Sequence, residues 1–181
     1  MSRPLRNLVG LALIALFVAG GSLAYWLAAE DHPVRPDFSL PDLQGNPHAI
    51  GDYDGQVVVL NFWASWCKPC REEVPMLIDA QNEWGDEGLQ VIGLAVDPPE
   101  AARDFAADYN INYPVLADPT EGARIQDRYT AEGTPAGVLP YTAIIDRDGH
   151  IVARIAGALN HAKLADIVQP LLENEASATK E

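Results

Sequence analysis

The sequence predicts an α/β protein with a mixed central sheet flanked by helices. Three observations carry this. VVVLNFW (Val57–Trp63) is an unbroken apolar run of buried-strand type, followed at once by a helical pattern. LQVIGLAV (Leu89–Val96) repeats the arrangement, with a second helical pattern behind it. The segments YTAIID and RDGHIVARIAG meet at Asp148-Gly149, a hairpin signal. Alternating strands and helices give a sheet covered on both faces, and the closing hairpin gives it an antiparallel edge.

The elements follow in order. RPDFSLPDLQGNPHAIGDYDGQ breaks short apolar pieces with Pro, Gly, Asn and Asp, which reads as an N-terminal hairpin followed by loops. After Val57–Trp63, a helix starts near Cys67. It places Val74, Leu77, Ile78 and Trp84 roughly on one side, carries a kink at Pro75, and ends at Gly85 or Gly88. Leu89–Val96 is the second buried strand. PPEAARDFAADYN forms a helix capped by Asn110, YPVLAD a short strand, and Glu121–Tyr129 a short helix. After the hairpin, Asn160 caps a last helix, His161–Leu172, and residues 174–181 form a disordered tail.

The amino end carries a different signal. Arg3 and Arg6 precede a run from Leu8 to Ala29 without a charged residue. As a helix this run is long enough to cross a bilayer core, which takes about 20 residues. Tyr25 and Trp26 stand near its far end, where interfacial aromatics collect, and the arginines keep the short amino end in the cytoplasm. Residues 1–29 are therefore expected to anchor the chain in a membrane, with a cleaved signal peptide ending near Ser22-Leu23-Ala24 as the alternative. Residues 30–35 read as a linker. The chain has 26 acidic and 12 basic residues, and only Arg3 and Arg6 precede the linker. The exported part thus carries a net charge near −16, which argues against nucleic acid as a partner.

Only two cysteines are present, Cys67 and Cys70, in SWCKPC. A bridge between them closes almost no loop, so its entropic stabilisation of the fold is small. The spacing suits reversible redox chemistry better than a structural staple. A zinc site needs four ligands and no second cysteine pair exists. Covalent haem needs His after the second cysteine, where Arg71 stands. No metal and no cofactor is expected beyond a redox-active Cys67–Cys70 disulfide. At a helix N-terminus, free N–H groups and the dipole favour a thiolate, and Lys68 adds positive charge. Cys67 is the expected nucleophile, ionised and open to solvent. Cys70, one turn further in, is the resolving thiol.

WCKPC after VVVLNFWAS resembles the active site of the thioredoxin fold. PDFSLPDLQGN, REEVP and LPYTAIIDRDGHIVARIAG narrow the resemblance to the membrane-anchored TlpA/ResA group of bacterial thiol–disulfide oxidoreductases, which includes the cytochrome c maturation thioredoxins. It covers about Pro36 to Leu172. The resemblance implies a thioredoxin-like domain over 36–173 with a strand–helix insertion at about Asp97–Asp118. It implies a domain in the periplasm, a single-pass anchor at residues 8–29 in the inner membrane, thiol/disulfide clients among exported proteins (apocytochrome c among them), and a transmembrane electron donor. It also implies a cis-proline before the closing hairpin. Pro140 fits that place and Pro135 does not, and Leu139 would offer its backbone to a client. Trp66 is expected to pack beside the nucleophile and to contact clients together with Lys68 and Pro69. Asn61 stands where cytoplasmic thioredoxins carry a buried Asp. Asp97, at the end of the next strand, is then a possible proton acceptor for Cys70, or else the cap of the following helix. Glu72 and Glu73 read as a solvated helix face.

Two other functions are weighed. One is an assembly factor or metallochaperone for a copper site such as that of an oxidase, which the same dithiol could serve. The other is a thiol peroxidase, since peroxiredoxins also begin with a PDF-like stretch. Peroxidases need a threonine three residues before the reactive cysteine, and Ala64 occupies that position.

Overall fold

The computed structural model describes residues 32–178, with side chains through Glu173. The expected anchor lies outside the described residues. Among those described, no helix is long and apolar enough to cross a membrane.

A two-stranded antiparallel hairpin, β1 (Ser39–Pro41) and β2 (Pro47–Ala49), precedes a five-stranded sheet. The sheet contains β3 (Val57–Trp63), β4 (Leu89–Ala95), β5 (Val115–Ala117), β6 (Tyr141–Ile145) and β7 (Ile151–Ala156), in the spatial order β5-β4-β3-β6-β7. β3, β4 and β5 run parallel, while β6 and β7 are antiparallel to their neighbours. The helices are α1 (Lys68–Trp84), α2 (Pro99–Tyr109), α3 (Pro119–Tyr129) and α4 (His161–Ala178). This is the thioredoxin-like architecture expected, with the hairpin in front and α2–β5 as the insertion.

Local chemistry explains the boundaries. Every residue of β3 is buried, because a central strand covered on both faces needs an unbroken apolar run. α1, α2 and α3 open with Pro69, Pro99 and Pro119 in their first turns, where a missing N–H costs nothing. Asp118 accepts hydrogen bonds from the N–H groups of Thr120 and Glu121, each 2.8 Å, and so caps α3. Asn110 closes α2 in the left-handed region at φ 52°. Asn160 Oδ1 accepts from Lys163 N–H at the start of α4. Pro75 sits on the exposed side of α1, which continues through it.

Three expectations need correction. The closing helix does not stop at Leu172 but continues to Ala178, so the polar tail is helical where it is described. The linker is tied down from Pro33 onward: Ile151 N–H donates to Pro33 O, Arg35 N–H donates to Gly149 O, and Val34 bridges to His150. The turn between β6 and β7 is longer than two residues, running from Asp146 to His150. Asp146 Oδ1 accepts from the N–H groups of Asp148 and His150, and Gly149 takes φ +83°.

The sheet separates two apolar layers. One contains Val59, Trp63, both cysteines, Val74, Leu77, Phe105 and residues of α4. The other contains Phe38, Leu40, Leu60, Phe62, Ile125, Tyr129 and Tyr141.

Candidate functional site

β3 delivers the chain to Cys67 at the C-terminal end of the parallel strands. Cys67 is the N-cap of α1, with extended backbone geometry, and Cys70 lies in the first turn. The two are joined as a disulfide with a Cα–Cα distance of 5.3 Å. Cys67 Sγ accepts the backbone N–H of Cys70 at 3.3 Å. The sulfur therefore takes the place an oxygen takes in an ordinary N-cap, and negative charge on it faces the positive end of the helix.

In this closed state the nucleophile is less open than expected. Cys67 is 6% exposed and Cys70 2%. Both cysteines are buried, not open to solvent. Trp66, one residue before Cys67, is 70% exposed. A large apolar ring left in water beside a redox disulfide is surface a partner can cover. Lys68 and Pro69 are exposed too, and Lys68 Nζ lies 3.9 Å from Glu72 Oε1. That pair is largely in solvent, so the electrostatic help Lys68 gives Cys67 is small beside that of the helix terminus.

The peptide bond Leu139–Pro140 is cis, and Pro135 lies in an exposed loop. Phe62 pairs with Tyr141, so one further step of the register sets Pro140 beside Trp63, at the disulfide end of the sheet. Leu139 packs against both apolar layers, that of the cysteines included. Its backbone N–H and C=O take no hydrogen bond among the described residues.

Asp97 is 2% exposed and accepts a hydrogen bond from Ser65 N–H on Oδ2. It does not cap α2, whose N-cap is Pro98. It holds the loop two residues before Cys67, so it lies near the site through the backbone.

Glu73 was misassigned by sequence reading. It is 3% exposed, not solvated like Glu72. It stands three residues after Cys70 on α1, on the same buried face. Burial raises its carboxyl to about 8, although the Leu159 backbone N–H acts in the opposite direction. Asn61, 1% exposed, donates to Thr142 Oγ1 at 2.9 Å and approaches Glu73 Oε1 at 3.5 Å. Asn61 is thus a donor facing a carboxyl from the helix above. The available sequence signal was register: Cys70, Glu73, Val74 and Leu77 recur at helical spacing on one face.

A cleft of about 430 Å³ between the hairpin and α2, lined by Asp42, His48, Arg103 and Tyr113, contains none of these residues.

Residues 34–154 match the AhpC/TSA family. The chain belongs to that family. It is similar to the thiol-disulfide oxidoreductase ResA of Bacillus cereus, at 33% identity over 137 residues and 75% of each chain. Among solved structures it is similar to a thiol:disulfide interchange protein of the thioredoxin family from Chlorobium tepidum, with TM-score 0.70 and 27% identity over 80% of this chain and 99% of that one. A secreted thiol-disulfide isomerase from Corynebacterium glutamicum matches at TM-score 0.70 and 28% identity, over 80% of this chain and 89% of that one. Within the family, this chain carries its cysteines as the CxxC pair and has Ala64 three residues before the first of them.

Proposed function

We propose that this chain, a thiol–disulfide oxidoreductase of the ResA type, reduces disulfides of exported proteins, apocytochrome c among its candidate clients. In this reading residues 8–29 anchor it in the bacterial inner membrane, its domain works in the periplasm, and a transmembrane donor returns it to the dithiol. The observation that carries the reading is a CxxC disulfide at a helix N-terminus, with Leu139 packed against the same apolar layer and its backbone without a hydrogen bond among the described residues.

The chemistry runs in two displacements. The reduced Cys67 thiolate attacks one sulfur of the client disulfide, a mixed disulfide forms, and one client thiolate leaves. Cys70, as thiolate, then attacks Cys67 Sγ. The mixed disulfide breaks, the second client thiolate leaves, and the Cys67–Cys70 bond forms. Two electrons pass from the dithiol to the client. Cys70 must lose its proton before the second step. Glu73 stands three residues from Cys70 on the buried face of α1, and burial raises its carboxyl to about 8, close to the ordinary thiol value of about 8.5. We assign the acceptor role to Glu73. Asp97 has a positioning role, holding Ser65 and through it the approach to Cys67. The client's backbone pairs with Leu139, and Trp66, Lys68 and Pro69 form the rim it meets.

The test uses the full chain. Cys67→Ser is expected to abolish reduction of insulin disulfides, and Cys70→Ser to accumulate mixed disulfides with clients in cells. Trapping by Cys67→Ser alone would reverse the two roles. A midpoint potential below about −200 mV is expected for a reductant; one near the −120 mV of a strong oxidant would reverse the direction.

A further inference from the structure

The segment between α3 and β6 carries Leu139 to the active site, and its two stems are held differently. On the first stem, Thr130 caps the end of α3 through Gln126 O, and Tyr141 Oη accepts from Ala131 N–H. Beyond it the tip is exposed, with Gly133 at φ +83° and Gly137 at +69°, both in open space. The second stem, which leads into Leu139–Pro140, takes one side-chain hydrogen bond among the described residues: Gln126 Nε2 donates to Val138 O at 2.7 Å. Gln126 is 3% exposed, in an otherwise apolar layer with Ile125 and Tyr129. A buried carboxamide is costly unless bonded, and here its bond is spent on a loop carbonyl.

The consequence follows from peptide geometry. Val138 C=O and Leu139 N–H belong to one planar trans unit, so they point in opposite directions. Fixing the carbonyl toward Gln126 aims the Leu139 N–H away from α3. That N–H is unpaired within the described chain, as is the Leu139 carbonyl.

We propose that Gln126 is a positioning residue for client binding: by holding Val138 O it orients the Leu139 backbone to pair with an extended client segment. The inference rests on the reading of Leu139 as the client's backbone partner. It adds that a side chain of α3, on the sheet face opposite the cysteines, sets the affinity for polypeptide clients but not the chemistry of the disulfide. A small disulfide needs no strand pairing, so Gln126 does not affect its reduction.

The test compares two substrates in the full chain, insulin and the small aromatic disulfide 5,5′-dithiobis(2-nitrobenzoate). In Gln126→Leu, KM for insulin is expected to rise about tenfold, the effect of one lost orienting hydrogen bond, with kcat and the midpoint potential unchanged. The rate with the small disulfide stays within about twofold of wild type. Gln126→Met, which also lacks the donor but keeps a flexible side chain of similar length, should show the same split. A parallel fall with both substrates, with or without loss of fold, or no change with either, overturns the inference and leaves Gln126 a structural residue. If wild type reduces insulin and the split is absent, only this inference fails. A wild-type chain that reduces the small disulfide but not insulin overturns the underlying reading and this inference with it.

Discussion

On the sheet face covered by α1 and α4, Glu73 Oε2, Trp63 Nε1 and the Tyr113 hydroxyl are buried with no hydrogen-bond partner among the described residues. On the face covered by the hairpin and α3, the comparable groups are paired: Gln126 with Val138 O, Tyr129 Oη with Pro36 O at 2.6 Å, and Tyr141 Oη with Tyr129 O and Ala131 N–H. The first face holds the disulfide and the second does not. Gly93 shows how closely the first face is built. A Cβ there would come within 2.8 Å of Trp63 Nε1 and 3.2 Å of the Tyr113 ring. Gly93 pairs in register with Asn61, which reaches Glu73. An unpaired buried polar atom costs about 1–3 kcal/mol, so the disulfide face gives up stability for a titratable interior, while the other face stabilises the fold.

The largest effect that can separate the faces is a cavity on the second. Phe62 packs against Tyr129 and Tyr141, with ring centroids 5.9 and 6.3 Å away. Phe62→Ala is expected to cost roughly 3–5 kcal/mol by urea denaturation, with the midpoint potential unchanged. A potential that moved along with the stability would show that the two faces are coupled and would break the comparison.

Glu73→Gln sharpens the comparison from the other side. The folded chain holds the Glu73 proton up to about pH 8, whereas an unfolded chain releases it near pH 4.3. Between those values the native state binds the extra proton. Stability therefore falls as pH rises, by about 1.4 kcal/mol per unit from this group, and levels off above pH 8. Gln removes that slope. The oxidised variant is expected to match wild type near pH 4 and to be the more stable of the two at pH 9, measured by urea denaturation at both. Its turnover should fall and lose its inflection near pH 8. An unaltered slope would mean that Glu73 is ionised in the folded protein.

These faces were unequally legible in the sequence. The fold followed from hydrophobic period and turn chemistry, because those signals are local: β3 and β4 read as continuous apolar runs, and Asn110 and Asn160 stand where caps belong. Cys67 and Cys70 were legible for the same reason, tied to the end of a strand, whereas Pro140 came only from the family resemblance. Glu73 was not, because an acidic pair in a helix reads as solvated unless its register against the cysteines is followed. Gln126 could not be found, since its partner Val138 lies across a loop whose path no local pattern specifies. The exposure of Trp66 was not legible, because a sequence shows that an aromatic adjoins a cysteine but not how much of its ring is left in water.

Trp66 also gives the smallest expected effect on stability and therefore the cleanest division between binding and folding. Its ring is 70% exposed, so replacing it removes little buried area, and Trp66→Ala should change unfolding free energy by no more than about 0.5 kcal/mol. If the ring is covered when a client docks, the loss appears as a higher KM for insulin. Aromatic anchors at interfaces commonly contribute about 1–2 kcal/mol, which corresponds to a roughly fivefold to thirtyfold rise. The small disulfide should be reduced at the wild-type rate. Losses that appear equally with both substrates would place the ring in the chemistry of Cys67, and the disulfide face would then extend further into solvent than its buried polar groups indicate.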